Sequence, residues 1–189
     1  MGIHIILACD AKYGIAKNGQ IPWKLKEEMA YFKQITLGTD QSKTNGLIMG
    51  RKTWESLPRK PLPKRHHIIL SSSAETSNNE MVTWKSSIED ALFWYCEKGE
   101  FKIHDLFVIG GESIYHQCMT DWIDLIDSIY ITLIDQDYQC DQFFSWKTED
   151  IISLGFVLET ETIDHIDNIR IQYLRFIKPP RKININNSV

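Results

Sequence analysis

Four short runs in this chain are apolar almost throughout instead of at alternate positions: Ile3-His4-Ile5-Ile6-Leu7-Ala8-Cys9, Gly46-Leu47-Ile48-Met49, His66-His67-Ile68-Ile69-Leu70 and Leu106-Phe107-Val108-Ile109. Successive side chains of a strand face opposite ways, so a strand with one wet face alternates. A run that does not alternate has both faces covered, as in a parallel sheet packed between helices. Two of the runs pass directly into glycine, at Gly50 and at Gly110-Gly111.

The segments between these runs supply the covering layers. The spacing predicts a helix from Leu25 to Leu37, with Leu25, Met29 and Phe32 as its buried stripe. Glu28, Phe32 and Ile35 repeat that spacing one position round, so Glu28 borders the stripe. Ser86-Ser87-Ile88-Glu89 reads as a capping box opening a helix to about Lys98, and Glu112 to Met119 as another helix. Met81 to Trp84 reads as a brief strand, and Ser128 to Asp135 alternates as a strand. Phe156 to Ile163 and Ile169 to Ile177 are strands joined through residues 164–168 as a hairpin. Residues 10–23, 38–45, 58–65 and 71–80 are expected to be loops. The fold class is therefore α/β: a single domain over residues 1–177, with a central, mainly parallel twisted sheet, an antiparallel C-terminal hairpin and flanking helices. A polar tail, residues 178–189, is expected to be disordered.

The net charge of −4 gives no electrostatic case for nucleic acid or an anionic membrane. Cys9, Cys96, Cys118 and Cys140 are scattered, which suits reduced thiols in a cytosol-like compartment better than a disulfide framework or a zinc site. The six histidines show no ligand spacing, so no metal is expected. No run reaches membrane-spanning length. The expectation is a cytoplasmic monomer acting on a small molecule.

Glu28 is the first residue that asks for chemistry. A carboxylate beside an oily stripe is costly unless it is paired or its proton affinity rises. The two strand–glycine–helix junctions are the second feature, because glycine admits a ligand close to the backbone and free N–H groups at a helix start attract anions. Either junction alone is most often only a turn. Two together, one bearing Arg51 and Lys52, suit a dinucleotide pyrophosphate at the carboxyl ends of the strands, although neither is a GxGxxG fingerprint or a P-loop. Ser71-Ser72-Ser73 offers either phosphate-binding hydroxyls or a solvated loop. Arg65 is either a bidentate carboxylate clamp or a solvated cation.

Several of these stretches occur in a familiar order. Ile15-Ala16-Lys17-Asn18-Gly19-Gln20-Ile21-Pro22-Trp23, Glu28 with Phe32, Ile48-Met49-Gly50-Arg51-Lys52-Thr53-Trp54-Glu55-Ser56-Leu57, Pro61 to Arg65, Ile68 to Ser71 and Val108-Ile109-Gly110-Gly111-Glu112-Ser113-Ile114-Tyr115 together resemble the dihydrofolate reductase family. The resemblance covers about Ile3 to Ile177, and the Pro-Trp-then-acid segment and Met-Gly-Arg-Lys-Thr-Trp-Glu-Ser are its specific parts.

The resemblance implies NADPH-dependent reduction of dihydrofolate to tetrahydrofolate, in support of one-carbon metabolism. It implies catalytic roles for Glu28, Trp23, Thr132 and Tyr115, with Glu28 hydrogen-bonded to the pterin and Thr132 supporting it. The substrate would further meet Ile6, Leu7, Phe32, Leu57 and Ile109, with Arg65 on its glutamate α-carboxylate. The implied cofactor contacts are Ala8 and Ile15 toward the nicotinamide, Gly19 and Ile21, and Gly50, Arg51, Lys52, Thr53, Leu70, Ser71 and Ser72 along one flank. Ile109, Gly110, Gly111, Glu112, Ser113, Ile114 and Tyr115 form the other, with Gly110 and Gly111 joined by a cis peptide. Arg51 and Ser71 are the candidates for the 2′-phosphate. Residues 10–24 resemble a closing flap.

Two departures bear on these implications. Ala16 stands where a glycine is usual, so a stiffer flap or a changed closed form is expected. Ser72 stands where some relatives carry arginine, which shifts 2′-phosphate selectivity toward Arg51. A related NADPH-dependent pyrimidine reductase and a non-catalytic pterin or NADPH binder are the rival readings. Pro22-Trp23 with Glu28, and Arg65, argue against the first; the intact Glu28, Arg65 and Gly110-Gly111 set argues against the second.

Overall fold

A computed structural model describes residues 2–40, 42–73, 76–97 and 103–180, so the tail expected to be disordered lies, from residue 181 on, outside the described residues. The strands are β1 (Ile3–Cys9), β2 (Gly14–Ala16), β3 (Thr44–Gly50), β4 (Arg65–Leu70), β5 (Val82–Lys85), β6 (Ile103–Val108), β7 (Ser128–Ile134), β8 (Gln142–Phe143), β9 (Val157–Ile166) and β10 (Ile169–Ile177). The α-helices are α1 (Lys26–Leu37), α2 (Arg51–Ser56), α3 (Ile88–Glu97), α4 (Glu112–Thr120) and α5 (Thr148–Ser153). Eight strands form one sheet in the order β5-β4-β3-β6-β1-β7-β10-β9. The pairings from β5 to β7 are parallel, and β10 runs antiparallel to both β7 and β9. This is the expected α/β architecture.

The unbroken apolar runs follow from the two covered faces. Along β1, Ile5, Leu7 and Cys9 enter one apolar cluster with α3, α4 and α5, while Ile6 enters another with Phe32, Ile35, Trp54 and Leu57. Ile5 lies between Val108 and Ile129 on the neighbouring strands and is 0% exposed, so β1 is the spine of the sheet.

Local geometry departs from the sequence reading in several places. Helix α1 buries Glu28 and Thr36, and Leu25 just before it is buried too, while Met29 is 54% exposed. Glu28 therefore lies on the buried stripe, and Met29 does not. Strand β3 begins at Thr44, inside the segment expected to be a loop, and β4 begins at Arg65 instead of His66. The cap of α3 sits one residue later than expected: Ser87 Oγ accepts the Asp90 N–H at 3.0 Å, and the Asp90 carboxylate accepts the Ser86 N–H at 3.2 Å. The C-terminal hairpin is tighter than residues 164–168, because Ile166 pairs with Ile169 across Asp167 and Asn168. Those two residues have φ of 51° and 65°, as a two-residue turn between twisted strands requires. The small β2–β8 sheet and helix α5 have no counterpart in the sequence reading.

One joint positions the candidate site. Ile109 N–H donates to Ile48 O at 2.9 Å, and Gly50 N–H donates to Gly110 O at 2.8 Å. The carboxyl ends of β3 and β6, and both glycine turns, are thereby held side by side. The Gly110–Gly111 peptide is cis, as the resemblance implies. Gly110 has a φ of 106°, and a Cβ there would stand 2.9 Å from the Tyr115 ring. Gly110→Ala is thus expected to cost on the order of 2–4 kcal/mol. Gly111→Ala, whose Cβ would meet Thr53 Oγ1 at 3.3 Å, should cost less. Urea unfolding of the two variants checks the order.

Two buried histidines give the fold an acid limit. His66 and His67 in β4 are 2% and 0% exposed, and burial pushes both down to about 4. His67 Nε2 accepts the Leu62 N–H at 3.0 Å, which assigns its proton to Nδ1, an atom without an acceptor among the described residues. The unfolded chain takes up these protons near pH 6.5 and the folded one only near 4. Their contribution to stability is therefore lost as pH falls through that window, by roughly 3 kcal/mol per histidine. Thermal unfolding of His67→Gln from pH 7 to 4 should show a shallower pH dependence than the parent protein. Parallel curves would contradict this.

Candidate active site

Strand register decides which side chains lie under helix α1. Ile6 and Ala8 stand beside Tyr130 and Thr132, which stand beside Arg175 and Tyr173. All six share one face, and α1 lies over it, with the Tyr31 ring 4.5 Å from that of Tyr173. The helix aims Glu28 into this layer. Glu28 is 9% exposed, and burial pushes its carboxyl up to about 7. Among the described residues nothing donates a hydrogen bond to it.

Thr132 is 2% exposed on that face, but no direct hydrogen bond joins it to Glu28 among the described residues. Trp23 is 5% exposed, packs edge-on to Tyr138, and keeps a buried indole N–H without an acceptor. The site thus holds a buried acid and a buried donor that no described residue satisfies. A ligand with complementary groups fits such a pair.

Arg65 closes the other end of the α1 face. It is 4% exposed; its Nε donates to Pro63 O at 3.2 Å and its Nη1 to Thr36 Oγ1 at 2.9 Å. Thr36 Oγ1 in turn donates to Phe32 O at 2.7 Å. The guanidinium is therefore anchored to the helix that carries Glu28. Burial draws its pKa down, and no carboxylate pairs with it among the described residues. Ile6, Phe32, Leu57 and Ile109 belong to one apolar cluster, between the acid's helix and the glycine turn. Leu7 does not join them: its side chain falls on the opposite face, in the cluster of α3 and α4.

The second flank is built on the glycine joint. Helix α4 has no side-chain cap at Gly111, which leaves the first-turn N–H groups of Glu112 and Ser113 available to an anion. Gly111 and Thr53 lie so close that a Cβ on the glycine would fill the gap. Arg51 Nε donates to the Glu55 carboxylate at 2.7 Å, and Lys52 is exposed beside it. Ser71 follows β4, donating its N–H to Lys85 O, while Leu70 and Ile114 are buried at 8% each. Tyr115 is buried and donates its hydroxyl to Ile6 O at 2.9 Å, tying α4 to β1; burial raises its proton affinity. These residues are brought together at one end of the sheet and fit a pyrophosphate-bearing cofactor.

Residues 10–24 are held from below. β2 pairs with β8, Asn18 N–H donates to Asp141 Oδ2 at 2.7 Å, and Asp141 N–H donates to Ala16 O at 2.9 Å. Ala16 is in extended backbone here, so the missing glycine costs no backbone strain. Asp10, 0% exposed, accepts the N–H groups of Lys12, Gly14 and Tyr138. Ile15 is buried, Gly19 turns with φ 73°, and Ile21 is 62% exposed. Asp10, Thr36, Asp141 and Tyr173 are site-supporting residues the sequence reading missed. Burial, and then Asp164, Glu28 and Glu27, hold the proton on Tyr173. Only the pairing of distant strands reveals that role.

The chain is similar to known proteins over this whole framework. A family model described as dihydrofolate reductase matches residues 2–174. A dihydrofolate reductase from Heliothis virescens is 38% identical over 146 residues, covering 74% of this chain and 76% of that protein. A putative dihydrofolate reductase from Caenorhabditis elegans is 36% identical over 143 residues, covering 74% and 75%. A bifunctional dihydrofolate reductase-thymidylate synthase 2 from Arabidopsis thaliana is 38% identical over 145 residues, 74% of this chain but only 25% of that longer protein. The chain thus spans about a quarter of the length of that bifunctional relative. With a family match from residue 2 to 174 laid over this sheet and its buried acid, the chain belongs to the dihydrofolate reductase family.

Proposed function

We propose that the protein reduces 7,8-dihydrofolate to 5,6,7,8-tetrahydrofolate with NADPH, acting as a monomer on small molecules. The observation that carries this reading is Glu28, a buried carboxyl pushed up to about 7 with no hydrogen-bond donor among the described residues. The pterin ring offers the missing donors, an N3–H and a 2-amino group, and Glu28 accepts both. Bound NADPH supplies the hydride that reduces pterin C6.

The chain's own residues do the rest. Glu28 fixes the pterin's orientation and, by accepting from N3–H and the 2-amino group, pushes electron density into the ring so that N5 takes a proton, delivered through water. A carboxyl poised near neutral pH suits that work. Trp23 offers its indole N–H toward the same end. Phe32, Leu57 and Ile109 present an apolar wall to the rings, and Arg65, held by Thr36 and Pro63, receives the glutamate α-carboxylate. Ile6 contributes through its side chain and Leu7 through its backbone. Residues 10–24 exclude water when closed. Gly50 to Thr53 and Gly111 to Ile114 support the pyrophosphate, with Ala8 and Ile15 toward the nicotinamide.

Mixing the protein with NADPH and dihydrofolate and following NADPH absorbance tests the reading. Decay is expected; nucleotide binding without decay would favour a non-catalytic binder. Glu28→Gln is expected to keep nucleotide binding and lose most turnover near pH 7, and unchanged steady-state rates would sink the assignment.

The same substitution has an opposite effect on stability. Glu28 ionises near 4.5 when unfolded and near 7 when folded, so its penalty appears as pH rises through that window. Without ligand, Glu28→Gln should be more stable than the parent at pH 8 by up to about 3 kcal/mol, and not at pH 4. Chemical denaturation at both pH values measures it.

A further inference from the structure

Helix α1 has a second side. Away from Glu28, its outer face and the β7–β10–β9 edge of the sheet bound an open groove of about 710 Å³, a size that suits a small organic ligand. The helix contributes Glu27, Tyr31 and Gln34, and the inner strands contribute Tyr130, Tyr173 and Arg175. Thr160, Thr162 and Asp164 of β9 form the outer rim, level with Arg175, Tyr173 and Ile171. Glu28, Phe32 and Thr36 do not line the groove, which separates it from the cleft that holds the acid.

The aromatic residues make this groove more than a crease in the surface. Tyr130 and Tyr173 are 9% and 8% exposed, yet neither hydroxyl has a hydrogen-bond partner among the described residues. Each brings an unused donor and acceptor to the groove on an otherwise buried ring. The Tyr31 ring lies 4.5 Å from that of Tyr173, and burial pushes its phenol up to about 12. Such rings stay neutral and attract cations over their faces. Tyr130 already holds one this way, with the Arg175 guanidinium 5.3 Å from its ring centre.

The charges fix the sign of the ligand. Arg175 is engaged: its Nη1 pairs with the Glu159 carboxylate, and its Nε is buried out of reach of solvent. Glu27 and Asp164 have no cationic partner among the described residues, and Asp164 accepts only the His165 N–H, at 2.8 Å. One stands on the helix and the other on the edge strand, on opposite walls of the groove. Burial raises the proton affinity of Tyr173, and Asp164, Glu28 and Glu27 add to it, so both wall carboxylates converge on that ring.

We infer that this groove is a second ligand site, for a small primary amine with a flat apolar body. Its ammonium lies between Glu27 and Asp164, and its body lies against Tyr31 and Tyr173. The site is independent of the reaction assigned to the Glu28 cleft.

Benzylamine, benzyl alcohol and benzoate share one ring and differ in charge. Amide chemical shifts of the isotope-labelled protein at neutral pH, followed as each is added, report affinity and place together. Benzylamine should bind with a Kd on the order of 1 mM, as a fragment of this size does, with shifts on α1, β9 and β10. Benzyl alcohol should bind roughly three- to ten-fold more weakly, and benzoate more weakly still. Glu27→Gln and Asp164→Asn should each weaken benzylamine by roughly two- to five-fold and leave benzyl alcohol within about two-fold. Glu28→Gln should leave benzylamine within about two-fold, because that carboxyl faces the other cleft. Thr162→Lys puts a cation on the rim and should exclude the amine while sparing the alcohol, which serves if either carboxylate variant folds poorly. Equal affinity for the three probes, loss of benzylamine binding in Glu28→Gln alone, or no shifts with benzylamine up to roughly 50 mM overturns the inference. None of these results touches the proposed function, which the decay of NADPH with dihydrofolate decides separately.

Discussion

Two backbone hydrogen bonds, from Ile109 N–H to Ile48 O and from Gly50 N–H to Gly110 O, hold the rest of the site together. They join strands far apart in the chain, which meet because the chain returns through α3 and places β6 between β3 and β1. Arg51, Lys52 and Thr53 are thereby set against Gly111 to Ile114. The flank proposed for the nucleotide is a property of sheet topology, expressed through two turns.

Helix α1 carries the opposing demand. Glu28, Phe32 and Thr36 follow one another at four-residue intervals on its buried side, so acid and arginine anchor lie about 12 Å apart along the helix axis. Among the described residues, the acid at one end has no donor and the guanidinium at the other has no carboxylate. Both are buried, so each carries a desolvation cost in the ligand-free protein. This is the familiar tension between stability and function. A molecule with a donor-bearing ring system at one end and a carboxylate at the other relieves both strains at once, and that complementarity is stronger support than either residue alone.

Much of this was legible in the residues. The parallel sheet could be read from runs such as Ile3 to Cys9, since double burial leaves no alternation to misread. Glycine turns and the Pro22-Trp23 entry to α1 are local signals and were found in place. The face of α1 was misread because periodicity treats every apolar residue as buried. Met29 fits the pattern and is exposed, while Glu28 breaks it and is inside. The grip of Thr36 on Arg65, the β2–β8 pairing and the place of Tyr173 depend on contacts between distant segments, and no spacing within one element encodes them. The cap of α3 slipped by one residue because two serines stand together and only the backbone chooses between them.

The pairing of residues 10–24 with the segment around Asp141 changes what kind of moving part that loop can be. Asp10 binds backbone from both sides, at Gly14 and at Tyr138, and Asp141 reaches to Asn18 and Ala16. The two segments are leaves on one hinge: if the first lifts, it must either carry the second with it or shed those hydrogen bonds one by one. On the proposed reading, residues 10–24 would cover the nicotinamide, and their movement would then be tied to the segment around Asp141.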